Sequence, residues 1–383
     1  MKKHDYVLIE FLFLTVVSFA VPVGQVEGVS VYWWFDSAAL ILVLASLGIG
    51  FFHLVRGRDG LAAGLLVALG TVLGTLAPLQ LIGSIETGEI LNLGYRVFLV
   101  APGLWIYVIA LGLLAWRAMT LLSKVADGNR LIALAIPALF GVWLLYLWQV
   151  ITTGLGIPSV LLPSPGQIGD AISNNGSTLY ADFYQTVVKS VLSGFAFGCG
   201  SGFLVAVLVD RVPFMQRGLL PLGSLVSAVP IVGIAPIMVM WFGFDWESKA
   251  AVIVVMTFFP MLINTLAGLQ ATSHIEKDLM RSYAASYWQT LLFLRLPNAM
   301  PFIFNALKIN STLAMIGAIV AEFFGTPIVG MGFRISTEVG RMNVDIVWAT
   351  IAVAAVVGSL FYGILALLER RVTFWHASYR RAK

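Results

Sequence analysis

The sequence predicts an all-α polytopic membrane protein, from its composition and from its long apolar segments. Of the 383 residues, 59% are hydrophobic and 11% are charged, whereas about 25% are charged in an ordinary soluble domain. The mean hydropathy is +0.93, so polar side chains are too few to cover a water-exposed surface. This composition disfavours a soluble enzyme, a nucleic-acid-binding protein and a disordered scaffold.

About ten segments are long and apolar enough to cross a bilayer, which takes about 20 residues. The first four segments are 6–23, 37–55, 60–82 and 96–116. Six more follow at 131–153, 186–209, 218–242, 248–269, 301–321 and 347–368. Because Pro230 and Pro236 interrupt the segment 218–242, we expect a kinked helix there.

The distribution of basic residues predicts a plasma-membrane protein with both chain ends in the cytoplasm. If the N-terminus lies inside, residues such as Arg56, Lys124 and Arg370 fall at cytoplasmic ends, and acidic residues dominate the opposite connectors. The positive-inside rule then favours an even number of spans. The apolar run after Lys2 and Lys3 lacks a clean cleavage site, so we expect an uncleaved helix rather than a signal peptide.

The chain is predicted to divide near residue 125. Before it, residues 1–125 form plain hydrophobic hairpins, which predict an accessory bundle of transmembrane helices. After it, residues 126–383 have longer, more polar connectors and are expected to form the functional core. One outside connector contains a short amphipathic helix around 167–172, which we place at the membrane interface.

Residues 270–300, called the coupling segment below, are too polar to span a membrane and too helix-prone to be a linker. Ser273 followed by Glu276 forms a capping box and predicts the start of a short helix. A break is expected near Ala285 and Ser286. We expect an amphipathic stretch to follow and to end at Pro297, with Pro301 opening the next span.

The coupling segment resembles the coupling loop of ABC importer permeases, whose pattern is Glu-Ala-Ala, three residues, Gly, nine residues and Ile-x-Leu-Pro. Counted back from Pro297, Leu296 and Leu294 match the end of the pattern, Ala284 takes the place of Gly, and residues 278–280 take the place of Glu-Ala-Ala. Further stretches resemble the branch serving nitrate, sulfonates, taurine and some vitamin precursors: 162–165, 230–243, 285–290, 296–309, 321–325 and 330–332. The resemblance covers about 131–371.

The resemblance implies a six-helix, MetI-like, type I ABC importer permease core joined to a four-helix N-terminal extension. It implies a non-catalytic subunit that moves a small solute from an extracytoplasmic binding protein to the cytoplasm by alternating access. Since no G-x-x-x-x-G-K-[ST] occurs, ATP and Mg are expected on a separate cytoplasmic ATPase dimer, with no cofactor bound by this chain. We expect a homodimer in membrane lipid that binds no nucleic acid.

The residues expected to meet the ATPase combine large side chains with charges that fix register. They are Asp278, Arg281, Tyr283, Ala284, Ala285, Tyr287, Trp288, Leu296 and Pro297. Tyr283, Tyr287 and Trp288 are large enough to fill a groove on a partner. Because Ala, unlike Gly, is strained at positive φ, we expect the first coupling helix to end in a different geometry from that of the family.

Polar residues inside spans are candidates for the translocation pathway, although such residues often only join helices by hydrogen bonds. The polar candidates are Asn264, Asn305, Asn310, Ser311, Thr312 and Glu322. Trp241 and Phe242 are further candidates, because their rings could stack on a substrate. Glu322 could act in gating, meet a binding protein or lie at a solvated helix end. Glycines 194, 198, 200 and 202 indicate close helix packing within one subunit, a dimer interface or a thin wall of the pathway. The lone Cys199 and the scattered histidines predict no metal site.

An ion-coupled secondary transporter is the main alternative. It would require inverted repeats and a buried ionisable coupling residue, and the sequence has no visible repeat and few charges within its spans. An intramembrane enzyme is a third class, for which we find no HExxH or G-x-S-x-G motif. The scarcity of Lys and Arg in the core spans favours a pathway that only conducts, with selectivity held by the binding protein.

Overall fold

A computed structural model describes residues 5–26, 29–57, 59–86, 99–126, 130–212, 214–216, 218, 229–325 and 328–375. The chain forms two compact units, Met1–Gln167 and Ile168–Lys383. The domain boundary predicted near residue 125 separates the accessory helices from the family-like core. This boundary stays a prediction. It rests on the change in the connectors along the sequence, whereas the compact units divide at residue 167.

The first unit is built from helices around α4. Its helices are α1 (Asp5–Ala20), α2 (Ser37–Arg56), α3 (Leu61–Glu86), α4 (Pro102–Ala126) and α5 (Arg130–Gly154). Helix α4 packs against α1, α3 and α5, and buried Tyr107 on α4 hydrogen-bonds to Ser46 on α2 at 3.0 Å. Asp36 begins α2 by accepting the Ala38 and Ala39 amides, and Gly57 ends it at φ +54°.

A small antiparallel sheet in the first unit was not predicted. Strands β1 (Gly24–Val26), β2 (Val29–Val31) and β3 (Leu99–Val100) pair in the order β2-β1-β3. The strands are only two or three residues long, which is too short for an alternating pattern to reveal them in the sequence.

Helix α6 (Pro165–Asn174) runs across the division between the units. It contains the stretch 167–172, so the predicted short helix is confirmed. Its placement at a membrane interface stays a prediction.

The described residues of the second unit include seven further helices. They are α7 (Gly176–Arg211), α8 (Ile231–Phe242), α9 (Trp246–Gln270), α10 (His274–Ser282), α11 (Tyr287–Glu322), α12 (Met331–Gly340) and α13 (Val344–Val372). Helix α9 packs against both α7 and α11, and α13 packs against α11. A Cβ added at Gly198 would meet Thr257, and one at Gly202 would lie 2.5 Å from the Phe258 carbonyl oxygen. Gly194, Gly198 and Gly202 of α7 therefore pack on α9 within one chain, whereas a Cβ added at Gly200 would enter open space.

Eight described helices are long and apolar enough to cross a membrane, and α1 and α8 are shorter apolar helices. Eight of the predicted spans thus correspond to full-length helices. The predicted segment 218–242 is described as a helix only from Ile231, and residues 219–228 lie outside the described residues. Pro230 stands at the N-cap with extended backbone, so the described helix begins directly after it. The predicted kink at Pro230 also involves residues 219–228 and therefore lies outside the described residues. Pro236 lies inside the helix.

Candidate functional site

Two capping boxes organise the coupling segment. The Ser273 hydroxyl accepts the Glu276 amide at 3.3 Å, and the Glu276 carboxylate accepts the Ser273 amide at 2.9 Å. This arrangement begins α10 and confirms the predicted box. Ser286 and Gln289 form an unpredicted second box that begins α11 after the predicted break. Both helix starts are therefore fixed by local sequence.

Ala284 joins these two helices in the left-handed conformation, with φ +52°. Its amide donates to the Arg281 carbonyl at 2.9 Å, and the Ala285 amide donates to the Met280 carbonyl at 3.0 Å. This pair of bonds is the Schellman arrangement that ends many helices, usually with Gly at the position of Ala284. The expectation of a different helix end is wrong, because the two bonds offset the strain of an Ala at positive φ.

Pro297 does not end a helix, which corrects the predicted stop. Helix α11 runs without interruption from Tyr287 to Glu322, with a π turn at Leu291–Arg295 just before Leu296 and Pro297. In that turn the Leu296 amide donates to the Leu291 carbonyl. A π turn displaces the backbone where proline lacks its own donor, so the helix passes through. The coupling segment is thus continuous with a membrane span.

Large side chains of the coupling segment are exposed along α10 and at the start of α11. Ile275 and Tyr283 are 83% and 78% exposed, and Leu279 between them is also exposed. Residues four apart lie on one helix face, so these three form a row. Trp288, beyond the turn at Ala284, is exposed as well. Asp278 and Arg281 form an exposed ion pair at 3.1 Å, which contributes little stability and stays available to a partner.

An ion pair that sequence reasoning missed anchors the segment. The Arg295 guanidinium donates to both Asp210 carboxylate oxygens at 2.7 Å, and it donates to the Leu269 carbonyl at 3.0 and 3.1 Å. The Tyr287 hydroxyl also donates to Asp210, at 3.1 Å. We call Asp210, Tyr287, Arg295 and the Leu269 carbonyl the clasp. It ties α11 to the ends of α7 and α9.

The clasp divides the predicted aromatic residues by role. Tyr287 is half-buried and its hydroxyl is engaged within the chain, whereas Tyr283 and Trp288 are exposed. Arg211, beside Asp210, stands 5.4 Å from the Tyr287 ring and 6.0 Å from the Trp288 ring. These cation–π contacts place Trp288 against the end of α7, where it also lines a depression with Leu204 and Leu208. Ala285, Leu296 and Pro297 are half-buried and shape the segment from beneath.

The predicted pathway residues do not form one cluster. Asn310 is buried and joins three helices, since its amide donates to the Thr257 carbonyl at 2.8 Å and to the Cys199 sulfur at 3.1 Å. Ser311 and Asn264 donate to carbonyls of their own helices. Asn305 and Thr312 are exposed along α11, and Trp241 and Phe242 are exposed at the end of α8.

Glu322 lies at the far end of α11 from the coupling segment, and it is buried. It is 2% exposed, so a solvated helix end is wrong. Its carboxylate accepts the Thr186 hydroxyl at 2.7 Å and the Gly332 amide at 2.6 Å, and Thr186 in turn accepts the Met331 amide at 2.8 Å. These four residues begin what we call the distal network.

Asp182 and Arg334 complete the distal network. Asp182 accepts the Gly330 amide at 2.8 Å and the Arg334 guanidinium at 2.8 Å. This hydrogen-bonded carboxylate raises the pKa of Arg334. Sequence reasoning missed Thr186, Asp182 and Arg334, because their partners lie 145 to 152 residues away in the chain.

Two lysines on the core helices are engaged within the chain. Lys308 on α11 pairs with Glu369 on α13 at 2.6 Å, and Lys249 on α9 donates to the Phe244 carbonyl at 2.6 Å. Just before α9, a hydrogen bond from Gln185 lowers the pKa of Asp245. Among the residues that the structure describes, no group of three or more His, Cys, Asp or Glu could hold a metal ion.

Comparison with known proteins bears directly on this arrangement. Residues 198–374 match the family described as "Binding-protein-dependent transport system inner membrane component". The matched range contains the whole coupling segment, all residues of the clasp, and Glu322.

Similar proteins are transport permeases with several different solutes in their names. The chain is 30% identical over 239 residues to the formylaminopyrimidine transport permease protein ThiX of Halalkalibacterium halodurans, covering 62% of this chain and 95% of that protein. It is 29% identical over 250 residues to the riboflavin transport system permease protein RibX of Chloroflexus aurantiacus, covering 64% and 91%. It is 29% identical over 240 residues to the taurine transport system permease protein TauC of Escherichia coli, covering 61% and 86%.

Proposed function

The chain belongs to the family of binding-protein-dependent transport system inner membrane components, and from this membership we propose that its coupling segment receives a separate cytoplasmic ATPase. It is a multi-pass inner-membrane permease subunit of an ABC importer, in which the permease component is not catalytic.

One observation carries the proposal: the coupling segment exposes four large side chains, Ile275, Leu279, Tyr283 and Trp288, and local hydrogen bonds fix its backbone. Water-exposed large apolar side chains at a helix–turn–helix are suited to a groove on a protein partner. Capping boxes and the Ala284 turn fix the shape of this surface. Asp278 and Arg281 flank it with opposite charges that set the register. ATP and Mg would be held by the partner.

The clasp connects the coupling segment to membrane-spanning helices. Arg295 joins α11 to Asp210 on α7 and to the last turn of α9, so a displacement of the coupling segment moves three helices together. ATP-driven closure of two ATPase subunits would draw two such segments together and rotate the attached helices, as alternating access requires. Because the chain carries one coupling segment and the motor is a dimer, we propose two copies of the chain.

This assignment also orients the chain. If the ATPase binds at the coupling segment, that end of α7, α9 and α11 is cytoplasmic, and the distal network lies outside. The extracytoplasmic binding protein would then dock near the distal network, and both chain termini would be cytoplasmic, in keeping with the basic residues.

The cargo is proposed to be a small solute of the range carried by the relatives. Their names include riboflavin, formylaminopyrimidine, taurine, aliphatic sulfonates and nitrate. Lys249 and Lys308 are each engaged within the chain, which supports a conducting pathway without a fixed anion site on these lysines. Selectivity would then belong to the binding protein.

Co-purification with the cognate ABC ATPase tests the proposal. We expect the change of both Tyr283→Ala and Trp288→Ala to weaken association at least roughly tenfold, because each removes a large anchor. The matched control changes two exposed aromatics elsewhere in the same unit, Tyr180→Ala and Phe197→Ala, and should leave association unchanged. Full association of the coupling-segment variant would overturn the proposal.

A further inference from the structure

The accessory helices contain a charged depression that the importer function does not use. Its volume is about 380 Å³, and it lies where α2 ends and α3 begins. Its walls are formed by Phe52, His53, Arg56, Asp59, residues 60–63 and Leu66. All of these residues belong to the first unit, so the site is complete within one chain.

Basic groups outnumber the acidic group around this depression. Arg117 and Lys124 from α4 both reach Asp59, at 3.3 and 3.1 Å. A third cation, Arg56, lies 5.2 Å from the centre of the Phe52 ring. Among the described residues, Arg56 and Asp59 line the depression, while Arg117 and Lys124 contact Asp59 from behind its wall, so basic groups outnumber the acidic one in this region. Asp59 is bound on the α4 side, while Arg56 stands on the α2 side.

Arg117 provides an independent indication that an anion belongs here. The residue is 5% exposed, yet its Nε and Nη1 atoms are buried without a hydrogen-bond partner, and Nη2 contacts Asp59. A buried arginine donor without an acceptor is costly and is rare in folded proteins. Arg117 contacts Asp59 from behind the wall of the depression, so an oxygen-rich anion placed beside Asp59 would lie close to a cation whose charge is incompletely paired.

We propose that this depression binds a phosphate monoester or diester, of which the headgroup phosphate of an anionic phospholipid is one source. A phosphate offers several acceptor oxygens to an arginine cluster. The basic rims of membrane helices attract anionic lipid on the cytoplasmic side, where the charge distribution places α2, α3 and α4. The site gives the accessory bundle a ligand of its own and does not depend on ATPase coupling.

Native mass spectrometry of the purified full chain tests this site, with dioleoyl phosphatidylglycerol and dioleoyl phosphatidylcholine as probes. We expect preferential binding of the phosphatidylglycerol. The change of both Arg56→Gln and Lys124→Gln should weaken it about 25-fold, since each basic group near anionic lipid contributes roughly a factor of five. Both side chains are largely solvent-accessible, so the fold should survive.

Two controls separate this site from general charge effects. The exposed pair Arg370→Gln and Arg371→Gln removes the same charge from another helix and should leave binding unchanged. Asp59→Asn removes the one carboxylate and should tighten binding, a gain that loss of structure could not produce.

Competition identifies the source of the phosphate. Displacement of the lipid by millimolar glycerol 1-phosphate would assign a free phosphate ester, and persistence of the lipid would assign a headgroup. Equal binding of the two lipids, or equal loss in both double variants, would overturn the proposal.

Discussion

The guanidinium of Arg295 meets the carboxylate of Asp210 through two hydrogen bonds of 2.7 Å, across 85 residues of sequence. Both side chains are largely buried, and the same guanidinium donates to the last turn of α9. A bidentate pair fixes orientation as well as distance. The coupling segment is therefore held to two other helices at the point where it enters α11.

Breaking this pair should destabilise the chain strongly. Asp210→Asn leaves the Arg295 charge buried and unpaired, at a cost of about 3 to 5 kcal/mol. The measurement is the thermal unfolding of the purified chain, together with Arg295→Gln and the double variant. Because the two side chains act on each other, the double change should cost less than the sum of the single changes. Strict additivity would show that the pair contributes no interaction energy.

The left-handed Ala284 predicts a stabilising substitution. Ala284→Gly removes strain of about 1 kcal/mol at φ +52°. Hydrogen exchange across residues 274–286 should slow by roughly two- to fivefold. Ala285→Gly, one residue further, is the matched control: its φ is not positive, so the added flexibility should leave exchange unchanged or faster. Slower exchange in both variants would contradict the assigned turn.

Close packing in the distal network predicts a difference between two glycines of α12. In Gly332→Ala the new Cβ would meet the Ile319 carbonyl and lie 2.8 Å from the Glu322 Cβ. It would also disturb the amide that Glu322 accepts. We expect a loss of about 1 to 3 kcal/mol in unfolding free energy. Gly340→Ala, in open space at the end of the same helix, should be neutral or stabilising by up to about 1 kcal/mol. Equal effects would contradict the packing described.

Features set by neighbouring residues were predicted well. The capping box of Ser273 and Glu276, the break before Ser286 and eight full-length spans follow from local spacing and hydropathy. The prediction that a helix ends at Pro297 was wrong, because the π turn that carries the helix past Pro297 depends on the whole helix around it. The expectation of a different helix end at Ala284 was wrong, because it considered only the preference of Ala for negative φ. It left out the two backbone hydrogen bonds that end α10.

The contacts that join helices were beyond local reasoning. Asp210 and Arg295, or Thr186 and Glu322, are ordinary helix-end residues in the sequence, and only the packing of α7 and α9 on α11 brings them together. Glu322 was singled out because it lies at the end of a span, but its burial depends on the start of α12, where Gly330 and Gly332 lie against it. Asn310 joins three helices for the same reason.

Site-specific cross-linking to the ATPase tests the central claim most directly. Cys199 is buried and is the sole cysteine of the chain, so a Cys199→Ser background allows single cysteines to be placed at will. Ile275→Cys, in the exposed row, should cross-link to the cognate ATPase through a short thiol reagent. Tyr180→Cys, also exposed but at the opposite end of α7, should not. Cross-linking at Tyr180→Cys with none at Ile275→Cys would contradict the assignment of the coupling segment.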